Sequence, residues 1–218
     1  MKNLFDVDGT LMAVLTKIAD VVWLNILFVV CSLPVFTIGA STTALYYVTF
    51  KTIGGEEGYI AKDFFRSFKQ NFKQSTIVWL VLMVLYVILG VDLVVLFRMD
   101  SPMADAGIVL VMIPGFLILF VSLYVFPLLS RFENTTKATI KNALLLSIAN
   151  IPKTLLMLAL SIAIPVVCLY NMKLLPLVLI CAFSVVAQLN GALLYHVLEK
   201  LMPKKEDTRE EQEVHGEI

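Results

Sequence analysis

Residues Thr76–Phe97 read TIVWLVLMVLYVILGVDLVVLF, a run of 22 residues with a single charge, Asp92. As an α-helix this run is ~33 Å long, enough to cross a hydrocarbon core of ~30 Å. Three more runs have the same character: Ala106–Leu128, Thr154–Met172 and Leu174–His196. Pro114, Pro127, Pro165 and Pro176 fall within these runs and read as kinks or helix ends, which spanning helices tolerate when neighbours satisfy the freed backbone. Composition agrees. Hydrophobic residues make up 59% of the 218-residue chain and charged residues 16%, against roughly 45–50% and 25% in soluble domains. A globule of this size cannot hide so much apolar surface. That excludes a soluble enzyme domain and a disordered chain. With 17 basic and 17 acidic residues, no net field draws nucleic acid.

The first 55 residues are less plain. Leu11–Cys31 reads as a helix with Lys17 and Asp20 three residues apart and able to pair. Pro34 and Gly39 mark a break, after which Ser41 would cap a short helix over Thr42–Ile53. The region either crosses once, giving five spans, or forms a short hairpin, giving six inserted helices as three hairpins. Charge favours the hairpin. Five basic residues lie in Lys51–Lys73, four in Arg131–Lys153 and four from Lys200 to the C-terminus, while the intervening short loops hold only Arg98 and Lys173. The positive-inside rule puts the basic segments in the cytoplasm. Lys2 and Lys17 then place the N-terminus there as well, which requires an even number of crossings.

A faint repeat points the same way. Ala44-Leu45-Tyr46, Ser122-Leu123-Tyr124 and Ala192-Leu193-Leu194-Tyr195 each fall on the second arm of a hairpin, with tyrosine expected at headgroup level. Chance likeness among apolar segments would give the same pattern. The expected organisation is one membrane domain over 1–202 and a polar, solvated tail over 203–218. No signal-peptide cleavage site is evident near Ala40, so the N-terminus is expected to stay attached.

Two segments are expected to lie as amphipathic helices at the cytoplasmic face. In the first, Phe64, Phe65, Phe68 and Phe72 share a face, with Lys62, Arg66, Lys69 and Lys73 beside them. This is the build of an interfacial helix, with phenylalanines in the acyl boundary and basic groups at phosphates; the competing reading is a docking surface for a partner. In the second, Ala138–Asn150, Ile140, Leu144 and Ile148 share a face flanked by Lys137 and Lys141.

Polar groups within the runs are Asn25, Asp92, Gln188 and Asn190. A carboxylate at membrane depth is a functional candidate by default, although Asp92 falls near the outer interface. The others read as interhelical hydrogen bonds or as the lining of a polar path. Ala187 and Gly191, four apart, would allow a close helix contact. Cys31, Cys168 and Cys181 lie in apolar runs without metal-ligand spacing, and neither metal nor cofactor is expected. Phe5-Asp6-Val7-Asp8-Gly9-Thr10-Leu11 resembles the signature of haloacid-dehalogenase-like phosphatases. That chemistry needs a strand before the motif and an α/β core after it, and here an apolar run follows. The stretch therefore reads as a turn in which Asp8 or Thr10 caps the first helix.

Val22–Leu27, Ser32–Gly39, Ala44–Tyr47 and Phe64–Gln74 resemble the YesL family, and the likeness extends over about residues 3–200. The resemblance implies a bacterial membrane protein of unknown function, often encoded beside sugar-importing ABC transporters, with no catalytic residues to carry over. The expectation is an all-α, multi-pass, non-enzymatic protein of the bacterial cytoplasmic membrane with both termini inside. The bilayer and ABC transporter components are its expected partners, with a role accessory to carbohydrate uptake. A small-solute transporter or channel is the alternative.

Overall fold

The computed structural model describes residues 4–56, 58–99, 102–170 and 178–200. All regular elements among them are helical: α1 (Leu4–Ser32), a 3-10 turn (Val35–Thr37), α2 (Ile38–Ile53), α3 (Ile60–Phe97), α4 (Pro102–Arg131), α5 (Thr136–Ala149), α6 (Ile151–Tyr170), a π segment (Val178–Ala182) and α7 (Phe183–Glu199). Four are long and apolar enough to cross a membrane, over Val14–Ser32, Ile60–Phe97, Met103–Arg131 and Ile180–Glu199. A fifth is added if α5 and α6, bent by 100° at their junction, count as one broken span. Lys173, Pro176 and the tail over 203–218 lie outside the described residues.

The short first hairpin is present, and its second arm has a role that its length conceals. At 16 residues, α2 is only ~24 Å long and is not among the spanning helices. It is the centre of the fold. Ala40, Ser41, Thr43, Ala44, Leu45, Tyr46, Val48, Thr49 and Phe50 are all buried, and α1, α3, α4 and α7 surround it. Its start differs from the expected one. The helix begins at Ile38, so Ser41 lies inside it, and no side chain caps it. Thr37 instead anchors the preceding turn, its hydroxyl 2.6 Å from the carbonyls of both Cys31 and Pro34.

Small residues set the crossing of α2 and α3. A Cβ on Gly39 would collide with the Ser75 carbonyl oxygen and sit 2.6 Å from Trp79 Cβ. Next to this contact the Thr43 and Ser75 hydroxyls meet at 2.8 Å, and Trp79 Nε1 donates to Val35 O at 2.8 Å. At the other end of α2, Gly191 of α7 nests against Thr49, where a Cβ would lie 2.8 Å from Thr49 Cγ2. Ala187 is buried beside it. The expected small-residue contact on α7 is thus made with α2.

Three sequence expectations are corrected. α1 already runs from Leu4 through Asp6, Asp8 and Thr10, so this stretch is neither a turn nor a cap. Residues 62–74 do not form a separate interfacial helix, because α3 continues unbroken for 38 residues, about 57 Å. Tyr46 and Tyr124 are buried in the core rather than turned outward to meet headgroups. Pro114 and Pro127 both lie inside α4.

Beyond Trp79, α3 runs along α4. Leu82, Tyr86, Leu89, Leu93 and Leu96 are among its less exposed positions, and their 4-3-4-3 spacing keeps one seam on the partner helix. Leu96 covers Gly107, Leu89 approaches Gly115, and the Tyr86 hydroxyl meets Ser122 Oγ at 2.7 Å. The outward positions are mostly exposed apolar side chains, among them Val87, Ile88, Val91 and Phe97 on α3 and Leu110 and Phe116 on α4. Such a surface suits lipid and not water.

The junction of α5 and α6 is held by hydroxyls. Thr154 Oγ1 lies 2.8 Å from Ser147 O and 3.0 Å from Asn150 O, and the Tyr124 hydroxyl from α4 reaches it at 2.8 Å. The buried face of α5 is Thr139, Ala143 and Ser147. Of the apolar face expected to lie outward, Ile140 and Ile148 are exposed, whereas Leu144 packs against the core.

Candidate functional site

Lys51 in the last turn of α2 pairs with Asp63 in the first turn of α3 at 2.8 Å. Arg131 ends α4 at the same end of the bundle. Its guanidinium sits 5.2 Å from the Phe50 ring centre and 5.6 Å from that of Tyr195. Among the described residues no carboxylate pairs with it. Arg131 thus joins the C-terminal ends of α2, α4 and α7, where the helix dipoles favour a cation and the ring faces attract one. Sequence reasoning counted Arg131 only as a positive charge, since nothing in the local sequence reveals rings brought by two other helices.

The residues over 62–74 divide by face. Phe64 is fully buried in the core, and Phe68 packs against that core. Phe64, Phe68 and Phe72 form a chain of ring contacts with centroids 6.3 and 5.4 Å apart. Phe65 is the exception, with 42% of its surface exposed. Phe64 therefore does not face the acyl boundary as the anchor reading required. Lys62, Arg66, Lys69 and Lys73 are all exposed. Their 4-3-4 spacing keeps them on one stripe of a helix whose phenylalanine face is largely occupied by the fold.

The four intramembrane candidates do not form one path. Asn25 is fully buried, and its Oδ1 accepts from the backbone N–H of Ser184 at 3.0 Å, fixing α1 to the start of α7. Asn190 is buried, and its Nδ2 donates to Ser161 Oγ at 2.9 Å, joining α7 to α6; the Tyr46 hydroxyl is its other neighbour. Asp92 is exposed on α3, 29 residues beyond Asp63, which is roughly 44 Å along the helix. Gln188 borders a cavity. That cleft, of about 520 Å³, lies between α1, α2, α7 and the start of α3, with Lys17, Asp20 and Thr52 on its wall. Lys17 and Asp20, expected to pair, form no ion pair with each other.

The Lys51–Asp63 pair carries a pH prediction. Its hydrogen bond to Asp63, helped by the carboxylate charge, pushes the Lys51 pKa up against the opposing effect of burial. A raised folded pKa makes this stabilisation complete below the unfolded lysine value of about 10.4 and lost as pH rises through the folded value. The destabilisation caused by Lys51→Met should therefore be constant from neutral to mildly alkaline pH. It should shrink only in strong alkali, as read from unfolding midpoints across a pH series.

These features fit a helical, multi-pass membrane protein. The comparisons narrow the class. A family described as "Protein of unknown function, DUF624" matches residues 21–93, the stretch from α1 through most of α3. The chain is 31% identical over 183 residues to "Uncharacterized protein YteU" of Bacillus subtilis (strain 168), covering 84% of this chain and 80% of that protein. It is 28% identical over 198 residues to "Uncharacterized protein YesL" of the same organism, covering 89% and 87%. The chain belongs to this YesL-type family of unknown function. No solved structure matches it.

Proposed function

We propose that the chain is a non-enzymatic accessory protein of the bacterial cytoplasmic membrane, with both termini in the cytoplasm, that supports carbohydrate uptake by docking on an ABC importer. The observation that supports this reading is the exposed stripe Lys62, Arg66, Lys69 and Lys73. Its helix has committed Phe64 and Phe68 to the fold, so the basic groups are held at fixed spacing and free to meet an acidic surface. Fixed spacing favours a specific partner over diffuse attraction to headgroups, because positioned charges confer specificity and on-rate. The orientation rests on the same charges, since Lys51, Arg131 and the stripe gather at one end of the bundle and the positive-inside rule assigns that end to the cytoplasm.

Two experiments test the proposal. Reporter fusions at Met1 and Ile218 should both report a cytoplasmic location; an external N-terminus with an internal C-terminus would restore the five-span topology. A photo-crosslinker at Lys69 in native membranes should capture an ABC transporter subunit, and changing the four basic residues to Gln should abolish capture while leaving insertion intact. Lipid adducts alone, together with solute flux in proteoliposomes of the purified protein, would favour the transporter reading instead.

A further inference from the structure

The cleft beside α1 combines two opposite charges with an apolar floor. Leu24 and Val48 at its base are almost completely buried. Gln188 and Thr52 supply an amide and a hydroxyl, and Lys17 and Asp20 stand on its wall. Neither charge has an ion-pair partner among the described residues, and the two sit one turn apart on α1, lining the same cleft. Lys17 is exposed and Asp20 partly so, which leaves both charges open to a ligand at the mouth of the cleft. A ligand carrying both complementary charges would meet both.

We propose that this cleft holds the headgroup of a zwitterionic aminophospholipid, with the phosphate on Lys17 and the primary ammonium on Asp20. The cleft is at headgroup depth for the basic end of the bundle, since Thr52 and Ile53 of its wall belong to the last turn of α2. It opens beside a lipid-facing surface, because Leu15 and Ile18 on the same stretch of α1 are more than half exposed. Its volume of about 520 Å³ falls within the ordinary range for small-molecule sites, roughly 300–1,000 Å³. The charge arrangement selects among lipids. A purely anionic headgroup would satisfy Lys17 and leave Asp20 facing negative charge. An ethanolamine ammonium donates hydrogen bonds to the carboxylate, which a quaternary ammonium cannot.

The test is native mass spectrometry of the full chain, delipidated in detergent and offered equal amounts of dioleoyl phosphatidylethanolamine and dioleoyl phosphatidylglycerol. The ethanolamine lipid should be retained about tenfold over the glycerol lipid, the scale of one charged hydrogen bond. Asp20→Asn should remove that preference, and Lys17→Gln should weaken retention of both lipids, with each variant still monodisperse by size exclusion. Equal or greater retention of the anionic lipid by the unmodified protein would overturn the proposal, as would a preference that survives Asp20→Asn. Glycerophosphoethanolamine, which lacks acyl chains, should not displace the bound lipid at equal concentration. If it does, the site takes a soluble zwitterion and the lipid assignment falls.

Discussion

Replacing Gly39 with valine should destabilise the protein by more than ~3 kcal/mol, the sum of overpacking at about 1–3 kcal/mol and of about 1–3 kcal/mol for each buried polar group left unpartnered. The new Cβ would enter the space of the Ser75 carbonyl oxygen and lie 2.6 Å from Trp79 Cβ. Neither neighbour can swing aside, since one is backbone and the other is fixed to it. α2 must then move away from α3. That movement pulls apart the Thr43–Ser75 hydroxyl contact and the Trp79–Val35 hydrogen bond. Alanine at the same site introduces the same Cβ and should already be costly. Gly90 provides the control: nothing lies within 4 Å of its Cβ position. Gly90→Ala should therefore be neutral or stabilising by up to ~1 kcal/mol, through helix propensity. Unfolding midpoints of purified protein in detergent would decide. A Gly39→Val variant as stable as the parent would mean that the α2–α3 crossing is not the close contact described above.

The second large effect is expected at the bend between α5 and α6. Thr154→Val preserves side-chain shape and removes one hydroxyl. That hydroxyl satisfies a carbonyl released where α5 ends and receives the phenol of Tyr124, which is fully buried. The loss should be about 1–3 kcal/mol for each group left without a partner. Thr154→Ser should retain most of the stability. Tyr124→Phe removes only one donor and should cost less than Thr154→Val. Because the two side chains share one bond, the double variant should be little worse than Thr154→Val alone. Hydrogen exchange along 147–154 should rise in Thr154→Val and stay low in Thr154→Ser. Strictly additive losses would show that Tyr124 and Thr154 act independently and that the bend is held by other contacts.

The helical class and the membrane character were legible in the sequence because they depend on quantities that it states directly. The length of an apolar run sets whether a helix can cross, and total composition sets how much surface must avoid water. The break at Pro34 and Gly39 was legible too, as was the small-residue contact at Ala187 and Gly191. The division of labour within 62–74 was not. A helical wheel groups Phe64 and Phe65 with Phe68 and Phe72, and only the packing separates them, burying Phe64 and exposing Phe65. The four polar candidates shared a composition class and not a place. Asn25 and Asn190 proved to be fastenings between helices, while Asp92 stands at the distant end of α3.

The sequence by itself determined an all-helical chain built for lipid, with its basic residues grouped between the same pairs of helices, since apolarity and charge act locally and need no knowledge of neighbours. Only the tertiary structure decided that α2, too short to cross, is the helix around which the others assemble. Its glycine, serine and threonine side chains look like weak helix formers along the chain. In three dimensions they allow backbones to approach and hydroxyls to pair, and that gain exists only once α3 and α7 are in place.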